Sequence, residues 1–162
     1  MENADVRRKK GNVDMRIVMA LVVVVALTGC ATMPRQKAAV SVEFRTASQS
    51  PAPGLTEMMA AGSEQPVYVS GNVLLSNDSV KSARMVPSPY GPQIEIVFTK
   101  AGTEIFARAT EQHLMKPIAI LVDGKLISAP IVRDRISGGR AVISGKFTEQ
   151  EAKRIADGIV GK

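Results

Sequence analysis

The sequence predicts an α+β fold: a two-layer sandwich in which a mostly antiparallel sheet carries two main helices packed on one face. Three observations predict it. Two segments, 100–114 and 146–160, place apolar residues at helical spacing. The stretches around them are β-prone, and helices set among strands bury their apolar sides as two layers. Between the helices lies Ile118–Ser128, two apolar runs flanking Asp123-Gly124, a pair suited to a type I′ hairpin turn.

The chain opens on a leader rather than on the fold. Arg7, Arg8, Lys9, Lys10 and Arg16 precede an apolar run, Ile17 to Leu27, that ends in Leu27-Thr28-Gly29-Cys30. A positive segment, a short apolar segment and a small-residue cut site form a secretion signal. The run has eleven residues, well short of the roughly 20 that cross a bilayer. Met15-Arg16 directly precede it and would make a compact leader alone, so Met15 is a second candidate start. The Leu-x-Gly-Cys ending resembles the lipobox of bacterial lipoproteins. The resemblance implies cleavage after Gly29, with Leu27 and Gly29 as cut-site residues, and acylation of Cys30. The protein would then face the periplasm as a membrane-anchored lipoprotein of the cell envelope. Ala31 is not the aspartate that favours inner-membrane retention, which leaves an outer membrane open.

Removing residues 1–29 takes five of 21 basic and three of 15 acidic residues and leaves a net charge of about +4. The remaining length suits one domain. Basic residues are scattered and aromatics few, so the clustered face that binds nucleic acid is missing. Cys30 is the only cysteine, so no disulfide forms within the chain.

The elements follow in order. Residues 30–39 form a tether that reaches about 30 Å when extended. Val40-Ser-Val-Glu-Phe-Arg45 alternates as a half-buried strand. Ala47 to Gln65, rich in Ser, Pro and Gly, reads as a loop or flexible insert. Val67–Val69 and Val73–Leu75 are extended. Ser76 or Asn77 is placed to cap a short helix through Ala83. Arg84–Val86 and Gln93–Thr99 read as strands about the turn Pro87–Pro92, with Ile94, Ile96 and Phe98 on one face. The helix 100–114 is capped by Thr99, with Ala101, Ile105 and Ala109 as its stripe and Phe106 beside them. Pro130 marks an edge or bulge. Gly138-Gly139 turns the chain into a strand, Arg140–Ser144. The last helix carries a capping box, Thr148-Glu-Gln-Glu151, with Phe147 and Ala152 in staple positions. Its buried stripe is Ala152, Ile155, Ala156 and Ile159.

These residues resemble a known family. Pro117-Ile-Ala-Ile-Leu-Val-Asp-Gly-Lys-Leu-Ile-Ser-Ala-Pro-Ile-Val, then Ile136-Ser-Gly-Gly, then Ile143-Ser-Gly-Lys-Phe-Thr-x-x-Glu-Ala is similar to the head subdomain of the first periplasmic domain of SecD, an accessory subunit of the Sec translocase. Ser79-Val-Lys-Ser-Ala-Arg, Ile96-Val-Phe-Thr and Val42-Glu-Phe-Arg45 continue the match upstream. The resemblance implies four parts: a signal peptide at 1–29, a tether at 30–39, abbreviated base-like strands with the insert at 40–75, and a head-like domain at 76–162. SecD itself continues into transmembrane helices coupled to the proton gradient. No such segment follows Lys162 in this sequence, so a head displayed on a lipid anchor is expected, without a motor.

The family assigns no catalytic residue to the head. Asp123, Gly124, Pro130, Gly138, Gly139, Gly145, Phe147 and Thr148 match its motif and are read as structural turns and caps. His113, Asp123 and Asp134 meet no nucleophile motif, phosphate loop or metal spacing. No enzyme, metal or cofactor is expected. Two functions remain open. One is a binding module for unfolded or exported polypeptide, or for Sec components. The other is a structural lipoprotein with one fixed partner. For the first, Ala119 and Leu121 alternate with Ile118, Ile120 and Val122, and are the candidate apolar sheet face, open to a partner unless the tether or the Pro-rich insert covers it.

Overall fold

The computed structural model describes residues 38–161. The leader residues Leu27 and Gly29, the expected lipidation site Cys30 and most of the tether lie outside the described residues. Those described contain strands β1 (Val42–Ser48), β2 (Leu55–Met58), β3 (Val67–Leu75), β4 (Val80–Val86), β5 (Gln93–Phe98), β6 (Ile118–Val122), β7 (Lys125–Ser128) and β8 (Arg140–Ser144). They also contain helices α1 (Lys100–Gln112) and α2 (Glu149–Ile159). The fold is α+β, with every strand pair antiparallel. The strands divide into two sheets, in the orders β2-β3-β1-β6-β7 and β4-β5-β8.

One main core lies between the sheets and the helices. It takes Val42 and Phe44 from β1, Ile118, Ile120 and Val122 from β6, Ile94, Ile96 and Phe98 from β5, Phe106 from α1 and the α2 stripe. At its centre three phenylalanine rings meet. Phe44 lies edge-on to Phe98 and to Phe106, with centroids 5.5 and 5.7 Å apart. Such pairs add about 0.5–1.5 kcal/mol beyond area burial.

The local signals near the C-terminus carry through. Asp123 and Gly124 both take positive φ, 48° and 73°, as the two-residue type I′ turn between β6 and β7 requires. Asp123 also accepts a hydrogen bond on its carboxylate from Ser41 N at 2.9 Å. Thr148 caps α2: its Oγ1 accepts from Glu151 N at 3.2 Å, and Glu151 Oε2 accepts from Thr148 N at 2.9 Å. Ala152, Ile155, Ala156 and Ile159 are all buried.

Four expectations are corrected. The helix expected after Ser76 or Asn77 is a single 3-10 turn, Asn77–Ser79, followed at once by β4. A register shift between Val80 and Ser82 bulges β4 at Lys81. The extra residue brings Val80 and Ala83, three apart, to the same buried face and imitates a helical spacing. Asn77 does not cap a helix. Its amide donates to Val40 O and Ile159 O and accepts from Val42 N, each at 2.9 Å, clamping the start of β1 to the end of α2. The α1 stripe holds at Ile105, which packs against the core, and at the buried Phe106 and Ala109, but not at its start, where Ala101 is exposed and Gly102 is buried. The insert is not all loop, because Leu55–Met58 forms β2 on the edge of β3.

The fourth correction concerns the candidate face. Ala119 and Leu121 are 0% and 2% exposed. They form a second cluster with Ala47, Val69 and Leu126, covered by Met58, Ala60, Val67 and Ala129. These side chains close the side of the sheet away from the main core, so β6 is buried along its whole length.

Candidate functional site

The two sheets end on facing edges. β7 closes one and β8 the other. They come close at Gly145, where an added Cβ would stand 2.9 Å from Ile127 Cγ2 and 2.8 Å from the Phe147 ring. This explains the glycine between them. Past that point the chain leaving β7 and the chain entering β8 flank a cleft of about 410 Å³. Its floor is apolar: Phe44 from β1, Phe106 from α1, Ile118 and Ile120 from β6. Its rim is Pro130 to Asp134 with Ile136 on one side and Arg140 to Val142 on the other.

Three rim residues leave apolar surface in water. Ile131 and Ile136 are each 38% exposed and Val142 is 47% exposed. The floor is held from below by the phenylalanine cluster. The rim is held by Thr110, which is fully buried. Its Oγ1 accepts from Ile136 N at 2.9 Å and donates back to the helix at Phe106 O or Ala107 O, 2.9 and 3.0 Å away. A threonine inside an apolar helix stripe is thereby satisfied.

Charge sits outside the floor. Arg135 pairs with Glu111 at 3.4 Å. On the outer face of the β4-β5-β8 sheet Glu95 accepts from Arg84 Nε at 2.9 Å and lies 3.8 Å from Arg140. The Arg84 hydrogen bond holds the Glu95 carboxyl below its usual value against partial desolvation, with the charges of Arg84 and Arg140 adding to it. These are exposed pairs of small energetic worth. Among the described residues no group of His, Cys, Asp and Glu is placed to hold a metal ion. His113 is at the end of α1, its Nδ1 2.8 Å from Ala109 O. An apolar floor with a half-polar rim can take up apolar side chains.

The motif residues fall around this cleft unevenly. Pro130 lines it. Gly138 and Gly139 lead into β8, and Gly139 takes φ 67°. Gly145, Phe147 and Thr148 lie where β8 passes to α2. Asp123 and Gly124 sit at the opposite end of β6. Ala119 and Leu121 face away from the cleft, in the second cluster with Val69 and Leu126. The sequence placed Ile131 and Ile136 in the family motif but gave no site role to them, to Val142 or to Thr110. A signal for Thr110 exists in its place on the α1 stripe, whereas the rim stretch Ile131-Val-Arg-Asp-Arg-Ile136 follows no period.

Comparison with known proteins finds one matching family model, that of the SecDF P1 head subdomain, over residues 53–159. Protein translocase subunit SecD of Magnetococcus marinus is 37% identical over 95 residues, which cover 58% of this chain and 18% of that protein. Protein translocase subunit SecDF of Thermus thermophilus is 39% identical over 87 residues, covering 53% and 12%. This chain therefore spans less than a fifth of the length of these relatives. A crystal structure of SecDF in a super-membrane-facing form superposes with a TM-score of 0.63 at 26% identity, over 77% of this chain and 19% of that one. A second structure, described as a membrane component SecDF that enhances protein export, shares the fold over 94% of this chain and 70% of that one, at TM-score 0.63 and 23% identity.

Proposed function

Because the chain belongs to the SecDF P1 head family, we propose that it is a lipid-anchored, non-enzymatic module of the cell envelope that engages exported polypeptide through the cleft under Ile131, Ile136 and Val142. The observation that carries this reading is the cleft itself: a phenylalanine and isoleucine floor left open beside the partly exposed Ile131 and Ile136, with Val142 on the β8 edge that borders it. A translocating chain is unfolded and presents the apolar side chains that such a floor receives. The relatives are named as translocase subunits, so Sec components are the natural neighbours.

The anchor proposal rests on the lipobox-like Leu27-Thr28-Gly29-Cys30. Among the described residues no helix is long and apolar enough to cross a membrane, so in this reading the acylated Cys30 holds the domain at the lipid. The geometry suits that role. The tether arrives where Ala39 and Val40 donate to Gly158 O and Val42 pairs with Val122. The rim meets β6 at its other end, where Ile118 N donates to Pro130 O at 3.0 Å. Tether and rim thus sit at opposite ends of β6.

The test is photocrosslinking in cells from a reactive residue at position 142, with membrane fractionation of Cys30→Ser protein beside it. A varied set of exported proteins on the crosslinker supports the module. A single stoichiometric product supports a fixed structural partner instead. Cys30→Ser protein that still sediments with membranes and keeps its leader contradicts the anchor.

A further inference from the structure

The cleft is walled by backbone groups that make no sheet bond to any described residue. Phe98 N donates to Gly139 O at 2.9 Å, which sets the phase of the β5–β8 ladder. Bonded pairs alternate along an antiparallel ladder, so Gly139, Ala141 and Ile143 turn their backbone groups toward Phe98, Ile96 and Ile94. Arg140, Val142 and Ser144 turn theirs the other way. β8 is the last strand of its sheet, and no backbone bond from these three to a described residue lies outside that ladder. The facing wall has the same property. Ile118 N donates to Pro130 O, Val132 N to Lys116 O and Met115 N to Val132 O, at 3.0, 3.0 and 2.8 Å. Pro130 and Val132 are thus directed at residues 115–118, and Ile131 between them points its N–H and C=O away from that pairing.

We propose that an extended polypeptide segment enters the cleft as an added β-strand on β8, bonded to the backbone of Arg140 and Val142 and laying alternate side chains on Phe44, Phe106 and Ile120. This rests on the cleft being the polypeptide site, and adds how the chain is held. Main-chain bonds give affinity without reading sequence, while a floor that receives every second side chain selects alternating apolar residues. That combination suits a partner whose sequence varies. The lining sets Arg133 against Asp134, and Arg140 lies beside Glu95, so the charge is balanced and suits a neutral segment.

The test uses the full chain in detergent and a labelled peptide of about nine residues, a usual strand length, alternating valine and threonine between terminal glutamates. Fluorescence anisotropy gives its affinity, and amide exchange by NMR gives the protection of Val142 N–H. Two peptide variants are N-methylated at the valines or at the threonines, and one protein variant is Val142→Pro. That N–H points out of the ladder, a position where an edge strand accepts proline. The expected result is slowed exchange at Val142 on binding, and binding weakened about tenfold by Val142→Pro and by one N-methylation phase but not the other, as one or two lost hydrogen bonds imply. Equal binding by every variant, with Phe106→Leu still weakening it, means the cleft holds chains by side chains alone, and overturns the strand while leaving the function. No binding by the parent peptide overturns the proposal. So does Val142 protection that grows with protein concentration in the absence of peptide, which would mark pairing between copies.

Discussion

Thr110→Val is the substitution that most directly separates the architecture of the rim from the stability of the domain. Valine keeps the shape of threonine and removes one oxygen. That oxygen is fully buried and accepts the 2.9 Å bond from Ile136 N. Its own donated bond goes to carbonyls within α1, so its loss there is of little consequence. Stranding a buried amide costs about 1–3 kcal/mol. Ile136 is partly exposed, so water can reach some of that amide, and the lower end of the range applies. The expected loss is about 1 kcal/mol in urea unfolding. Thr110→Ser gives a similar loss of about 1 kcal/mol for a different reason, a missing methyl group. Amide exchange tells them apart. Ile136 should exchange at least about fivefold faster in the valine variant, the factor that 1 kcal/mol corresponds to, and at an unchanged rate in the serine variant. The reasoning is refuted if Ile136 exchanges equally in both, since the rim is then not held by the Thr110 hydroxyl.

Two further outcomes follow from the hydrogen-bond geometry. Asn77→Ala removes three 2.9 Å bonds that join β1 to the end of α2 and should lower stability by about 2–3 kcal/mol in chemical denaturation, with water replacing part of each bond; a loss under about 0.5 kcal/mol would show that the clamp is ornamental. The Glu151 carboxyl is held below its usual value by hydrogen bonds from the Thr148 backbone and then its side chain, so its contribution is present above the unfolded-state pKa and is lost as pH falls through the lower folded one; stability of Glu151→Gln should therefore be less acid-sensitive than the parent in a pH series of melts, and parallel curves would refute the assignment.

What the sequence revealed depended on how local the cause was. The Asp123-Gly124 turn and the Thr148–Glu151 box are each complete within four residues, and both stand where they were expected. β4 was misread because its bulge at Lys81 spaces Val80 and Ala83 like a helix. The start of the α1 stripe was placed at Ala101 rather than Gly102 because Gly102 gives no apolar signal. It is buried by the close approach of Ser79, whose carbonyl oxygen would lie 2.6 Å from an added Cβ. β2 was hidden in a Ser-, Pro- and Gly-rich insert, where pairing with β3 rather than pattern makes the strand. Ala119 and Leu121 are covered in part by this insert, through Met58 and Ala60, together with Val67 and Ala129, which is the alternative the sequence left open. The cleft was illegible for a different reason. Its floor and rim come from β1, α1, β6, β8 and an aperiodic loop, so it exists only after two sheets have met.

The central claim is that the opening between β8 and the β7–β8 connection, and not apolar exposure in general, receives a passing polypeptide. The direct measurement compares photocrosslinking in cells from Val142 with that from Met59, which is 57% exposed against 47% for Val142 but is not among the residues lining the cleft. Strong capture of newly exported chains at 142 with little at 59 is the predicted result. Equal capture at the two positions, or capture at 59 alone, would contradict it.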